Sequence, residues 1–116
     1  MNSRRETCLR YLQAYAAKDL ATIEALFAPE VALRDWKIRV CGRAAALAET
    51  RRNFESVEHL AIEVLHLHES SQAVAAELRI LINGTQELFV VDVIGFDAQG
   101  RIDAIRAYLG RGDAEA

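Results

Sequence analysis

At 116 residues, 52% of them hydrophobic, the chain is the size of one domain with apolar content for one core, and a second domain would not fit. Its 27% charged residues are mixed in sign and sum to −3, so no basic field is present to attract a phosphate backbone and nucleic acid is not an expected partner. No apolar run approaches the roughly 18 residues of a membrane span, and the opening Met1-Asn2-Ser3-Arg4-Arg5-Glu6 carries no stretch resembling a signal peptide, so a cytoplasmic protein without a membrane partner is expected.

From Arg4 to Ala17, the apolar positions Cys8, Leu12 and Tyr15, with Tyr11 beside them, recur at helical spacing and predict an amphipathic helix that stops at Lys18-Asp19. Asp19 is placed to cap a second helix, Leu20 to Phe27, which Pro29 prevents from continuing past Ala28. Val31, Leu33 and Asp35 then alternate with Ala32, Arg34 and Trp36, the period of a half-buried strand in which Asp35 shares a face with two apolar residues. Gly42 interrupts the extended segment, and the Ala-rich run Arg43 to Asn53 predicts a third helix.

Only strands follow. Leu60, Ile62 and Val64, then Val74, Ala76, Leu78 and Ile80, then Leu88, Val90, Asp92 and Ile94, and finally Ile102 and Ala104 alternate with their neighbours. Turn signals at Glu69-Ser70-Ser71, Asn83-Gly84 and Asp97-Ala98-Gln99-Gly100 separate them into a four-stranded meander. The order of elements predicts one α+β domain over residues 1–116, with helices on one face of an antiparallel sheet.

Few residues depart from this apolar pattern in a way that suggests chemistry. Cys8 and Cys41 are too few and too far apart for a disulfide framework or a zinc pattern, and read as small fillers. His66 and His68 share a strand face and His59 lies nearby, a spacing open to a metal; with no cysteine and no third ligand beside them, no metal site is assigned. Asp92 is the sharper anomaly, because every neighbour in Leu88-Phe89-Val90-Val91-Asp92-Val93-Ile94 is apolar. A carboxyl there either finds donors, stays protonated and becomes a donor itself, or points out to solvent from a strand edge. Asp35 ends an apolar strand next to Trp36, and is read either as a site carboxylate or as the first residue of a solvated turn. Tyr11 lies on the buried face of its helix.

Taken together, these residues resemble a known family. The run Arg10-Tyr11-Leu12 to Lys18-Asp19-Leu20, then Ile23-Glu24-Ala25-Leu26-Phe27-Ala28, then Val31 to Asp35, resembles the opening of bacterial ketosteroid isomerases. Val91-Asp92-Val93-Ile94-Gly95-Phe96, Gly100-Arg101-Ile102 and Arg106-Ala107-Tyr108-Leu109-Gly110 are similar to that family's last two strands. The wider group is the SnoaL-like, or nuclear transport factor 2-like, superfamily. The resemblance implies a cone-shaped, cystatin-like α+β barrel, a homodimer, no cofactor, and a small apolar carbonyl substrate. It assigns Asp35 as general base and Tyr11 and Asp92 as the donors that hold an enolate oxygen. Trp36 and Tyr15, with Leu88, Val90 and Ile94 on the same strand face as Asp92, are the expected substrate wall. The match breaks between Asp35 and Gly42, where Trp36-Lys37-Ile38-Arg39-Val40-Cys41 is shorter than the steroid enzymes' connection and lacks their proline. Lys37, Arg39 and Arg43 then stand near the mouth, open to an acidic or smaller substrate and equally to a solvated rim. A polyketide cyclase, an epoxide hydrolase relying on further charged partners such as Arg101 and Asp103, and a non-catalytic binding module are the alternatives the wider group allows.

Overall fold

The computed structural model describes residues 3–113, so positions 1–2 and 114–116 of the expected 1–116 domain lie outside the described residues. Helix α1, Arg4–Ala16, starts on a capping box: the Ser3 side chain accepts from the Glu6 amide, and the Glu6 carboxylate accepts from the Ser3 amide. It buries Thr7, Cys8, Tyr11, Leu12 and Ala14, one stripe at helical spacing. Lys18 ends the helix in the left-handed region at φ 56°, where the Asp19 amide reaches back to the Ala14 carbonyl at 2.8 Å, a Schellman-type closure. The Lys18 ammonium also donates to the carbonyls of Val57 and Glu58, fastening this corner to the sheet. Asp19 then caps helix α2, Leu20–Leu26, by accepting from the Thr22 amide at 3.1 Å.

The chain passes from α2 into strand β1, Phe27–Arg34, with no intervening loop. The strand therefore begins earlier than expected and runs through Pro29. Pro29 is tolerated because the register with the last strand shifts between Phe27 and Ala32, so its position owes no ladder hydrogen bond. A three-residue strand β2, Arg39–Cys41, folds back on β1; it is too short for periodicity to reveal. Helix α3 runs Arg43–Ser56, three residues beyond its expected end, and buries Ala46, Thr50 and Phe54.

The meander is as anticipated: β3 Leu60–Glu69, β4 Ala73–Ile82, β5 Gln86–Phe96 and β6 Ile102–Gly110 pair antiparallel in sequence. Asn83 and Gly84, at φ 53° and 72°, lead the three-residue turn Asn83-Gly84-Thr85 between β4 and β5, in which the Thr85 amide donates back to the Ile82 carbonyl at 3.1 Å. The Asn83 side chain accepts from the amides of Glu58 and His59, so the same residue pins the start of β3. The sheet order is β2-β1-β6-β5-β4-β3, and β1 runs parallel to β6, so the sheet is mixed rather than wholly antiparallel. Register shifts at Phe27/Ala32, Val64/His66 and Gly95/Phe96 accompany its curvature, but β2 and β3 remain as edges and the sheet does not close into a barrel. No helix among the described residues is long and apolar enough to cross a membrane.

Between helices and sheet lies an apolar layer in which Ile23, Phe27, Val31, Val74, Ile94 and Ile102 are fully buried. Phe27 sits where α2, β1 and α1 meet, its ring centroid 6.0 Å from that of Tyr11. Phe27→Ala is expected to lower stability by about 3–5 kcal/mol through lost transfer energy and the cavity left behind, read as a shift in urea midpoint at constant m-value.

Candidate active site

A cavity of about 310 Å³ lies between α1, α3 and the inner face of the sheet. Its origin is legible in one cross-strand row. Asp92 on β5 pairs with Ala76 on β4 and with Ala107 on β6, and residues directly opposite share a face. Two methyl groups thus flank the carboxyl. The adjoining rows are bulky, with Leu78, Val90 and Leu109 on one side and Val74, Ile94 and Ile105 on the other.

Tyr11 and Asp92 both line this cavity. Neither the Tyr11 hydroxyl nor the Asp92 carboxyl has a hydrogen-bond partner among the described residues, where no sealed side-chain polar atom lacks one. Both groups therefore open onto the cavity. The Asp92 side chain retains some accessible area, but that area faces an apolar chamber that solvates charge poorly. Burial pushes its pKa up to about 7. Burial also raises the Tyr11 phenol well above its ordinary value, and the nearby Tyr15 and Asp92 add to the shift. Cys8, one turn before Tyr11, is raised to about 12 by burial, with a smaller contribution from Asp92.

Asp35 comes from a different kind of structure. It opens the tight turn between β1 and β2, where its Oδ1 accepts from the Lys37 amide at 2.7 Å and the Ile38 amide at 2.8 Å, and its own amide donates to the Ile38 carbonyl at 3.0 Å. The turn that Asp35 opens also borders the cavity. Two backbone donors fix the carboxylate, and Oδ2 has no protein partner among the described residues. Trp36, 45% exposed, and Lys37 follow at the mouth.

Of the expected wall residues, Tyr15, Trp36 and Leu88 line the cavity, together with the expected chemical residues Tyr11, Asp35 and Asp92. Val90 and Ile94 do not; at 4% and 0% exposure they are packed into the apolar layer. Strand parity assigns a face but not a position along it, so it could not separate these two from Leu88 and Asp92. Glu49, Thr50 and Asn53 of α3 also line the cavity and were missed, although their spacing around the buried Ala46–Thr50–Phe54 stripe was the available signal. Arg101 pairs with Asp97 in the β5–β6 turn, and neither Arg101 nor Asp103 belongs to the cavity wall. His66 and His68 lie on the opposite sheet face, where His68 pairs with Glu77, and no three potential ligands gather for a metal among the described residues.

This open, helix-covered sheet with an apolar cavity defines a fold with many relatives. An NTF2-like protein of unknown function from Cytophaga hutchinsonii superposes with a TM-score of 0.80 at 13% identity, covering 95% of this chain and 92% of that one. An LEH-like epoxide hydrolase from M. tuberculosis gives 0.80 at 19% identity over 92% of this chain and 82% of its own. In sequence, a steroid Delta-isomerase of Nocardioides simplex is 36% identical, covering 90% of this chain and 87% of that protein. Residues 9–108 match the SnoaL-like domain model, and the chain belongs to that family.

The Asp92 environment has a measurable consequence for folding. Its folded pKa of about 7 lies above the unfolded value of about 3.9, so the native state holds a proton that the unfolded chain releases between those values. The associated stability is fully present below about pH 4 and is lost as pH rises through about 7. Asp92→Asn removes the titration, so its stability relative to wild type should rise across this window by up to about 1.4 kcal/mol per pH unit. Denaturant melts of both proteins between pH 4 and pH 8 measure the difference; a flat difference would place the carboxyl in a solvated setting.

Proposed function

We propose that the chain catalyses a cofactor-free isomerisation, a proton transfer beside the carbonyl of a small, mostly apolar substrate. The observation that carries the reading is that Tyr11 and Asp92 offer unpartnered hydroxyl and carboxyl groups to the same apolar cavity that Asp35 borders with one free carboxylate oxygen. Asp35 Oδ2 removes a proton from the carbon between a carbonyl and a carbon–carbon double bond. The electron pair moves onto the carbonyl oxygen, where the Tyr11 hydroxyl and the protonated Asp92 donate to it. Asp35 then returns the proton to the far carbon as the carbonyl re-forms, leaving the double bond conjugated and the atom count unchanged. The isomerase from Nocardioides supports this chemistry. Epoxide opening finds less support, since Arg101 and Asp103 lie away from the cavity. The unpaired cysteines, Cys8 buried and Cys41 exposed, accord with action in a reducing compartment such as the cytoplasm.

The test is conversion of a panel of β,γ-unsaturated ketones, from cyclohexenones to steroids, followed by growth of conjugated-enone absorbance. Asp35→Asn should lower kcat by about 10²–10⁴-fold, and Tyr11→Phe and Asp92→Asn each by about a hundredfold or more. In the wild type kcat/KM should fall as pH rises through about 7, where Asp92 loses its proton. No conversion across the panel, or an unimpaired Asp35→Asn, overturns the reading and leaves a binding module.

We also propose that the outer sheet face pairs with a second copy. Cross-strand register places Arg39, Arg34 and Arg106 side by side on β2, β1 and β6, all exposed and without an ion-pair partner among the described residues. Glu63, Glu77 and Glu87 lie on the same face at the other side, where Arg79 pairs with Glu63 and Glu87 and His68 with Glu77, and Val91, Val93 and Tyr108 lie between the two groups. A two-fold arrangement lays each arginine row over the partner's glutamates. Light scattering should give twice the 12.9 kDa chain mass at low salt. Arg106→Glu should shift the population to monomer; a monomeric wild type at micromolar concentration removes the proposal.

A further inference from the structure

Tyr15 also faces the cavity with an uncommitted proton. It lies one helical turn after Tyr11, with ring centroids 5.9 Å apart, and its ring meets Phe54 of α3 edge-on at 5.0 Å. These contacts fix the plane of the phenol. Asn53 Nδ2 donates to the Tyr15 hydroxyl oxygen at 3.2 Å, so that oxygen acts as acceptor toward α3 while its own O–H has no acceptor among the described residues. Asn53 is exposed, and water could satisfy its amide equally well; the bond's effect is on Tyr15, whose O–H rotor it biases away from α3. Burial holds the phenol protonated, and both Asp92 and Asp35 are near enough to raise it further. A neutral donor thus lines the same cavity as the two carboxyl groups, and it is less deeply buried than Tyr11.

We infer that Tyr15, oriented by Asn53, donates to a second oxygen of the substrate, so that the site takes bifunctional carbonyl compounds, hydroxy ketones or diketones, in preference to monofunctional ketones. The inference rests on reading Tyr11 and Asp92 as the enolate-oxygen site. The first oxygen sits between those two groups, and the second lies toward the opening, where Tyr15 and Asn53 form part of the wall. Tyr15 contacts the substrate, and Asn53 is a positioning residue.

Calorimetric titration with 2-naphthol, which carries one enolate-like oxygen, and with a set of dihydroxynaphthalenes that differ in the place of the second hydroxyl tests this. At least one dihydroxy isomer should bind wild type about tenfold more tightly than 2-naphthol. Tyr15→Phe keeps the ring and its packing and should abolish that gain, so that the dihydroxy isomer and 2-naphthol bind the variant with affinities within about twofold of each other. Asn53→Ala, at an exposed site that folding tolerates, should reduce the gain by about threefold or more and carries the test even where Tyr15→Phe folds poorly. Absence of a gain for every isomer, or a gain that survives both substitutions, overturns the inference while the enolate site stands. Failure of 2-naphthol to bind, or binding indifferent to Asp92→Leu, overturns the enolate reading itself and this inference with it.

Discussion

A helix layer seals a sheet when every inward row of side chains is tall enough to meet it. Here the row Ala76–Asp92–Ala107 is not, and the chamber above it exists because two alanines stand beside a carboxyl. The rows on either side carry Leu78 and Val90, and Val74, Ile94 and Ile105, all buried, and hold α1 and α3 at the spacing those side chains set. Filling the low row with large apolar residues would improve packing and remove the site. The gap is thus a departure from close packing maintained by its neighbours, and the carboxyl within it is destabilised as an anion by the same apolar walls.

The two aspartates show how one side-chain type takes opposite roles from its surroundings. Asp92 stands in mid-strand with its backbone committed to the ladder and no donor at its carboxyl, so protonation is the inexpensive state. Asp35 stands where the strand ends, and the free amides of Lys37 and Ile38 turn inward to hold it. A strand interior supplies no spare amides and a turn supplies several. The contrast between the two carboxyl groups at the cavity therefore follows from secondary structure before any tuning by neighbours.

Much of this was readable in the chain. Asp19 as a cap, Asn83-Gly84 as a hairpin turn and the four-strand meander rest on local rules, and local rules suffice for them. The start of β1 was missed because Pro29 argues against a strand unless a register shift excuses it, and that shift depends on β6, some seventy residues away. The parallel β1–β6 pair is invisible for the same reason. At the cavity, the anomaly of a carboxyl in an apolar strand was evident, but that the turn opened by Asp35 also borders the cavity is a matter of tertiary packing that no local pattern carries. Val90 and Ile94 were placed on the right face and at the wrong depth, since depth is set by what packs above. Asn53 escaped notice because an asparagine near the end of a helix is ordinarily solvated.

The two cysteines acquire a further meaning from where they fall. Cys41 is exposed on the edge strand β2, whereas Cys8 is fully buried beneath α1, its thiol pushed up to about 12 by burial. In the folded chain only one sulfur is within reach of an alkylating reagent. The other is uncovered when α1 lifts from the sheet, which is also the motion that would open the chamber from behind. Slow modification of a second thiol thus counts the excursions of the cavity's roof, at a position the sequence already carries.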